Sequence, residues 1–133
     1  MVTLERFEEI TDTLADLLPE EFFRELSGGI MVKDQIVYHP ASVDQDLYTL
    51  GEYHRHPHLG RFVVLYYGSF MACYNYMEEK ELEKEIWRVL RHEFLHHLES
   101  LAGERGLEVE DAIKIAGYRR RKGINQAENG KVE

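Results

Sequence analysis

The sequence contains a single cysteine, Cys73, so this chain cannot form an internal disulfide bond. Its stability must come from a hydrophobic core, and 133 residues suit one domain with one modest core. No cysteine-enzyme motif surrounds Cys73, which favours a small buried side chain over a nucleophile. A lone cysteine and an N-terminus with acidic rather than basic residues predict a cytoplasmic protein without a secretion signal.

Long apolar runs and a basic surface are also lacking. No apolar run approaches the roughly 20 residues that a membrane-spanning helix requires. The chain has 16 Lys and Arg against 25 Asp and Glu, and its formal net charge is −9. Nucleic acid binding needs a concentrated basic surface, and the only dense basic run is residues 119–122. We therefore expect neither a membrane nor a nucleic acid as partner.

The spacing of apolar side chains predicts an α+β domain over residues 1–118 and a polar, flexible tail over 119–133. We expect a small mixed sheet packed on one long helix, with flanking helices. The predicted helices cover residues 3–17 with Thr3 as N-cap, 20–26, 78–102 ended by Gly103, and about 109–121. The predicted β structure is a hairpin or bent strand over 30–38 and a strand over 61–67, separated by an irregular connection over 39–60.

The long helix carries the motif HExxH, formed by His92, Glu93 and His96. Two imidazoles four residues apart lie on one helix face and can bind one zinc ion. The glutamate between them can act as general base on a zinc-bound water. This pattern is typical of metal-dependent hydrolases, most often peptidases, and it predicts one Zn²⁺ per chain.

Catalytic zinc usually takes three protein ligands, so a third must be found. At about 100° per residue, Glu99 lies about 20° from His92 on the same helix face as His96, and we take it as the first candidate. The other candidates share an oxygen or imidazole donor near the motif or in the long connection: Glu104, Glu108, the pair Glu110/Asp111, and His54, His56 and His58. We interpret the three loop histidines as a polar surface rather than a second metal site. His97, on the flank of the helix, is predicted either to be structural or to support a metal ligand without binding the metal itself.

Several stretches together resemble the family of small bacterial zincin-like metallopeptidases, also described as minimal zincins. They are Phe7 to Leu26, Leu50 to His54, Arg61 to Tyr66 and the helix around Arg91 to His97, in the family's order. The resemblance covers roughly residues 4–115 and implies a compact zincin-like fold, with zinc held at His92 and His96 and Glu93 as base. Family members often continue as HExxHxxGxxD. This chain has Glu99 at the glycine position and Ala102 at the aspartate position.

The sequence thus predicts a zinc metallopeptidase that hydrolyses peptide bonds in a peptide or protein substrate. We expect the substrate to add a strand to an exposed sheet edge, with strand 61–67 as the candidate edge. Tyr53 and His54 are the candidate groups that stabilise the oxyanion. The alternative is a non-catalytic zinc-binding module that binds a protein partner. The sequence does not identify the substrate or the oligomeric state.

Overall fold

A computed structural model describes residues 1–45 and 47–104, except for the side chain of Glu104. Over these residues it shows an α+β fold with three α-helices and one small mixed sheet. The helices are α1 (Leu4–Ala15), α2 (Tyr67–Tyr74) and α3 (Glu79–Glu104), with a 3₁₀ turn at Glu20–Phe23. The strands are β1 (Gly29–Lys33), β2 (Gly51–His56) and β3 (Gly60–Tyr66). The predicted helix at 109–121 and the predicted tail lie outside the described residues.

Helix α1 begins where the sequence predicts. The Thr3 side chain accepts a hydrogen bond from the backbone N–H of Arg6 at 3.1 Å, which satisfies one of the unpaired donors at a helix start. Phe7, Ile10 and Leu14 form the buried face of the helix. The second predicted helix, over 20–26, is instead a single 3₁₀ turn.

The sheet has the order β1-β3-β2. β3 is the central strand, parallel to β1 and antiparallel to β2. The strand predicted at 61–67 is confirmed within one residue, but its prediction as the sheet edge is wrong. Tyr67 begins α2 rather than ending the strand. Of the β structure predicted over 30–38, the strand is confirmed for its first part as β1, whereas the hairpin is wrong, because β1 pairs with β3 and Tyr38 forms an isolated bridge with Tyr48.

Strand β2 lies inside the stretch predicted to be an irregular connection. Its sequence, GEYHRH, contains no β-branched residue and ends in two exposed residues. The strand therefore forms through its hydrogen bonds to β3, with which it makes a hairpin closed by residues 57–59, and its own propensity does not reveal it. This correction matters for function, because β2 and not β3 is the edge that flanks the long helix.

Helix α3 supplies the largest part of the core. The predicted apolar stripe is confirmed: Leu82, Ile86, Leu90 and Phe94 are at most 1% exposed. They pack with α1, the 3₁₀ turn and the face of β3 that carries Val63 and Leu65. The predicted helix over 78–102 is confirmed within two residues, since α3 runs from Glu79 to Glu104, where the described residues end. No described helix is both long and apolar enough to cross a membrane.

Candidate metal centre

His92 and His96 lie one turn apart on α3, and their rings point at a common place. The two Nε2 atoms are 3.2 Å apart, and the ring planes cross at 86°. Both side chains are exposed. Two nitrogens bound to one zinc at tetrahedral angles and bond lengths near 2.0–2.1 Å would be about 3.3–3.4 Å apart. The pair therefore fits two ligand positions of a single zinc ion.

Glu93 follows His92 directly and is only 6% exposed. Burial raises the pKa of its carboxyl group above the ordinary value, and Glu52 adds to the shift, whereas His96 and His54 oppose it. A carboxylate with a raised pKa binds a proton more readily. Glu93 lines the same cleft as the histidine pair, and its role as base stays a prediction.

Glu99, the predicted third ligand, has its Oε1 atom 3.4 Å from Nδ1 of His96. Nδ1 is the ring nitrogen that does not face His92, so in this arrangement the carboxylate is placed to orient the His96 ring. Within residues 1–45 and 47–104, no group of three or more His, Cys, Asp or Glu side chains is arranged to hold a metal ion. Glu99 as ligand stays a prediction. Glu108, Glu110 and Asp111 lie outside the described residues, as does the side chain of Glu104.

A cleft of about 890 Å³ lies between α3 and β2. His92, Glu93, His96 and Glu99 line its helical wall, and the consecutive residues 50–55 line the opposite wall. His39, Pro40, Tyr48 and Thr49, from the connection before β2, close one part of its rim. The candidate metal ligands and the edge strand therefore face the same space.

The hydrogen-bonding pattern of β2 shows which backbone groups face this cleft. The N–H of Tyr66 donates to the carbonyl of Leu50 at 2.9 Å. In an antiparallel ladder, alternate residues bond to the neighbouring strand, and the residues between them point their N–H and C=O groups the other way. Gly51 and Tyr53 are residues of this second kind. Their backbone groups point away from β3, along the edge that borders the cleft.

Tyr53, a predicted oxyanion stabiliser, is held by a side chain of α3. Its hydroxyl lies 2.7 Å from Nδ1 of His97, and Nε2 of His97 lies 2.8 Å from the carbonyl oxygen of Arg24. A carbonyl only accepts, so Nε2 carries the hydrogen and Nδ1 accepts from Tyr53. The predicted structural role of His97 is confirmed, since its side chain is fully buried. The hydroxyl proton of Tyr53 is engaged with His97, and its oxyanion role stays a prediction.

His54, the other predicted oxyanion stabiliser, lies on the opposite face of β2 from Tyr53. Its Nε2 atom donates to Glu52 Oε1 at 3.0 Å, and its ring stacks on Phe62 with centroids 5.0 Å apart. Tyr66 also donates its hydroxyl hydrogen to Glu52 Oε1. Sequence reasoning missed Glu52 and Tyr66. The sequence held one signal for Glu52: it stands two residues before His54, and two residues with this spacing lie on the same face of a strand.

His56 has a structural role in the turn between β2 and β3. Its Nδ1 atom accepts hydrogen bonds from the backbone N–H groups of His58 and Leu59, both at 3.1 Å. This contact supports the interpretation of the loop histidines as part of a surface turn. His54 alone among the three lines the cleft described above.

No protein-family model matches the sequence, and no curated protein matches it. One similar solved structure is a conserved hypothetical protein from Thermo thermophilus. The two sequences are 36% identical, the match covers 77% of this chain and 99% of that one, and the TM-score is 0.66. The likeness therefore spans nearly the whole of the similar protein. The chain belongs to the family of this conserved hypothetical protein.

Proposed function

We propose that this protein is a zincin-like zinc metallopeptidase. The observation that carries the proposal is the 3.2 Å separation of the His92 and His96 Nε2 atoms, beside a buried glutamate. Chance occurrences of HExxH do not require the two imidazoles to converge on a cleft, and here they do. The zincin-like assignment of the small mixed sheet on its long helix belongs to the same proposal.

His92 and His96 would hold the zinc through Nε2. Bound there, zinc supplies Lewis acidity, which lowers the pKa of water and polarises a carbonyl group. Glu93 accepts a proton from the attacking water and then donates it to the leaving amine. Its burial keeps the carboxylate out of bulk water and favours proton uptake. Glu99 orients His96 or completes the ligand set.

The substrate is an extended peptide that pairs with β2. Gly51 and Tyr53 offer backbone donors and acceptors along the cleft, and main-chain hydrogen bonding of this kind does not depend on the substrate's side chains. The sequence favoured strand 61–67 as the edge that pairs with the substrate. In this proposal β2 is that edge. Since β2 flanks the helix that carries His92 and Glu93, a bound strand would lie across the reacting groups.

A second candidate is a non-catalytic zinc-binding module. The observation that favours it is the presence of Glu99 and His54 in the same cleft as the histidine pair. If both bound the ion, the site would hold four protein ligands and no open position for water, which is typical of structural zinc. The net charge of −9 would then suit a basic protein partner.

The test compares zinc-loaded wild type with Glu93→Gln on a peptide library analysed by mass spectrometry. Glu93→Gln retains the shape of the side chain but removes its basicity, so we expect one zinc per chain and at least roughly a 100-fold loss of cleavage. Glu81→Gln is the control, because Glu81 is exposed in the first turn of α3 and lies outside the cleft. Wild type that binds zinc and cleaves no peptide would favour the non-catalytic module.

A further inference from the structure

His97 joins three parts of the fold through two hydrogen bonds. Its side chain is fully buried, and its two ring nitrogens contact the Tyr53 hydroxyl on β2 and the Arg24 carbonyl after the 3₁₀ turn. The Arg24 bond fixes the tautomer, because only a protonated Nε2 can donate to a carbonyl. That leaves Nδ1 as an acceptor directed at Tyr53. The arrangement therefore specifies both partners and both proton positions.

The Arg24 carbonyl is held in place by an unusual backbone conformation. Glu25, which follows it, has φ of +60°, a left-handed conformation that costs a non-glycine residue roughly 1 kcal/mol. Such strain persists only where surrounding contacts enforce it. Glu25 Oε1 lies 3.8 Å from Nη1 of Arg61, whose side chain is mostly buried on β3. The turn is thus anchored to the central strand.

Tyr53 connects helix α3 to the cleft. Its side chain is tied to His97, whereas its backbone N–H and C=O point along the edge that would pair with a substrate. His97 directly follows His96, one of the two converging histidines. The hydrogen bond between the Tyr53 hydroxyl and His97 is 2.7 Å long. It therefore links the backbone of β2, which would hold the substrate, to the residue that follows His96 on α3.

We propose that Tyr53 and His97 are positioning residues that set which peptide bond of a bound strand lies opposite His92 and His96. The inference rests on the proposed function. A strand paired with β2 takes its register from Gly51 and Tyr53, and the Tyr53–His97 bond fixes that register relative to α3. Without the bond, β2 stays paired with β3, but its backbone at Tyr53 is held less firmly against α3, and neighbouring peptide bonds of the substrate reach the metal.

The experiment uses Tyr53→Phe, which removes only the hydroxyl, in the zinc-loaded full chain. The substrate is a peptide that wild type cleaves at one bond. The matched control is Tyr67→Phe, which removes a hydroxyl that donates to the Val2 carbonyl away from the cleft. We expect Tyr53→Phe to raise KM roughly five-fold or more, to yield products cut at adjacent bonds, and to leave zinc affinity within about two-fold of wild type. Tyr67→Phe should keep the single cleavage position.

The outcomes separate this inference from the proposed function. If wild type cleaves one bond and Tyr53→Phe cleaves the same bond with unchanged KM, the positioning role is overturned and the peptidase proposal stands. If Tyr53→Phe and Tyr67→Phe lose activity equally, in proportion to lost stability, the hydroxyl is merely structural and the inference is also overturned. If zinc-loaded wild type cleaves no peptide, the proposed function fails and the inference falls with it.

Discussion

The three histidines at positions 92, 96 and 97 are close in sequence but occupy different environments. His92 and His96 are exposed and share one cleft, whereas His97 is fully buried and has protein partners on both ring nitrogens. The helical wheel alone separates the pair from His97, because His97 lies about 140° around the helix from His92. The partners of His97 are 44 and 73 residues away in sequence, and no local pattern identifies them.

The burial of His97 predicts a pH dependence of stability. Burial lowers its pKa below the ordinary 6.5, although the bond to Arg24 opposes the shift. Below pH 6.5 the unfolded chain therefore binds a proton that the native imidazole does not. His97 therefore makes its full contribution to the free energy of unfolding above pH 6.5. That contribution is lost as the pH falls from 6.5 towards the pKa of His97 in the native protein.

When the pH is lowered from about 7.5 to about 5, we expect the free energy of unfolding of metal-free wild type to fall more than that of His97→Gln. The difference between the two proteins should grow by at most about 1.4 kcal/mol per pH unit. Urea unfolding at both pH values measures the difference. All other side chains are the same in both proteins, so the difference reports on position 97. Equal pH dependence of wild type and variant would contradict the buried, neutral state of His97.

Glu99 provides a second prediction at the scale of single residues. Its carboxylate lies 3.4 Å from His96 Nδ1, where it favours the tautomer that leaves Nε2 free for a metal. We expect Glu99→Gln to weaken zinc binding by roughly 10- to 100-fold, measured by competition with a chromophoric chelator. Glu81→Gln should keep wild-type affinity. Unchanged affinity in Glu99→Gln would show that Glu99 neither binds the metal nor orients His96.

At the scale of secondary structure elements, β2 and α3 approach each other closely at Gly51. A Cβ atom at this position would lie 2.8 Å from Val89 Cγ1 and 3.1 Å from Leu65 Cδ2. These neighbours are short side chains within the core, with little freedom to move. The absence of a side chain at Gly51 is therefore what allows the edge strand to lie against α3.

We expect Gly51→Ala to destabilise the fold by about 1–3 kcal/mol, because the added methyl group overpacks this contact. Gly103→Ala is the matched control: it adds the same methyl group in α3, where no described atom lies within 4 Å. That change should stabilise the protein by roughly 0.5–1 kcal/mol through better helix propensity. Chemical denaturation measures both, and a Gly51→Ala protein as stable as wild type would contradict the close packing of β2 on α3.

The elements differ in how far their sequences predict them. Helices α1 and α3 could be predicted because apolar side chains recur at helical spacing and Thr3 is a good N-cap. Strand β3 could be predicted because RFVVLYY is β-branched, aromatic and flanked by glycines. Strand β2 could not, since GEYHRH has no β-branched residue and only one aromatic ring of the Phe, Tyr or Trp type, and it forms by pairing with β3. The end of α3 was predicted within two residues, since the described helix runs to Glu104, next to Gly103.

At the scale of the whole molecule, one wall of the cleft could be predicted and the other could not. The wall on α3 follows from HExxH on an amphipathic helix, a local pattern. The wall on β2 requires that β2 forms a hairpin with β3 and that β1, from a distant segment, occupies the other side of β3. The sequence therefore supports a prediction of the metal ligands and the base, whereas the substrate edge and the role of Tyr53 depend on the fold.

The central claim is that His92 and His96 bind one zinc ion in an open site beside Glu93. A crystal structure of the zinc-loaded protein, with data collected above and below the zinc absorption edge, tests it most directly. We expect one anomalous peak at about 2.0–2.1 Å from both Nε2 atoms, with at least one position taken by water and Glu93 next to that water. A peak elsewhere, or a zinc ion enclosed by four protein ligands at the histidine pair, would contradict the account.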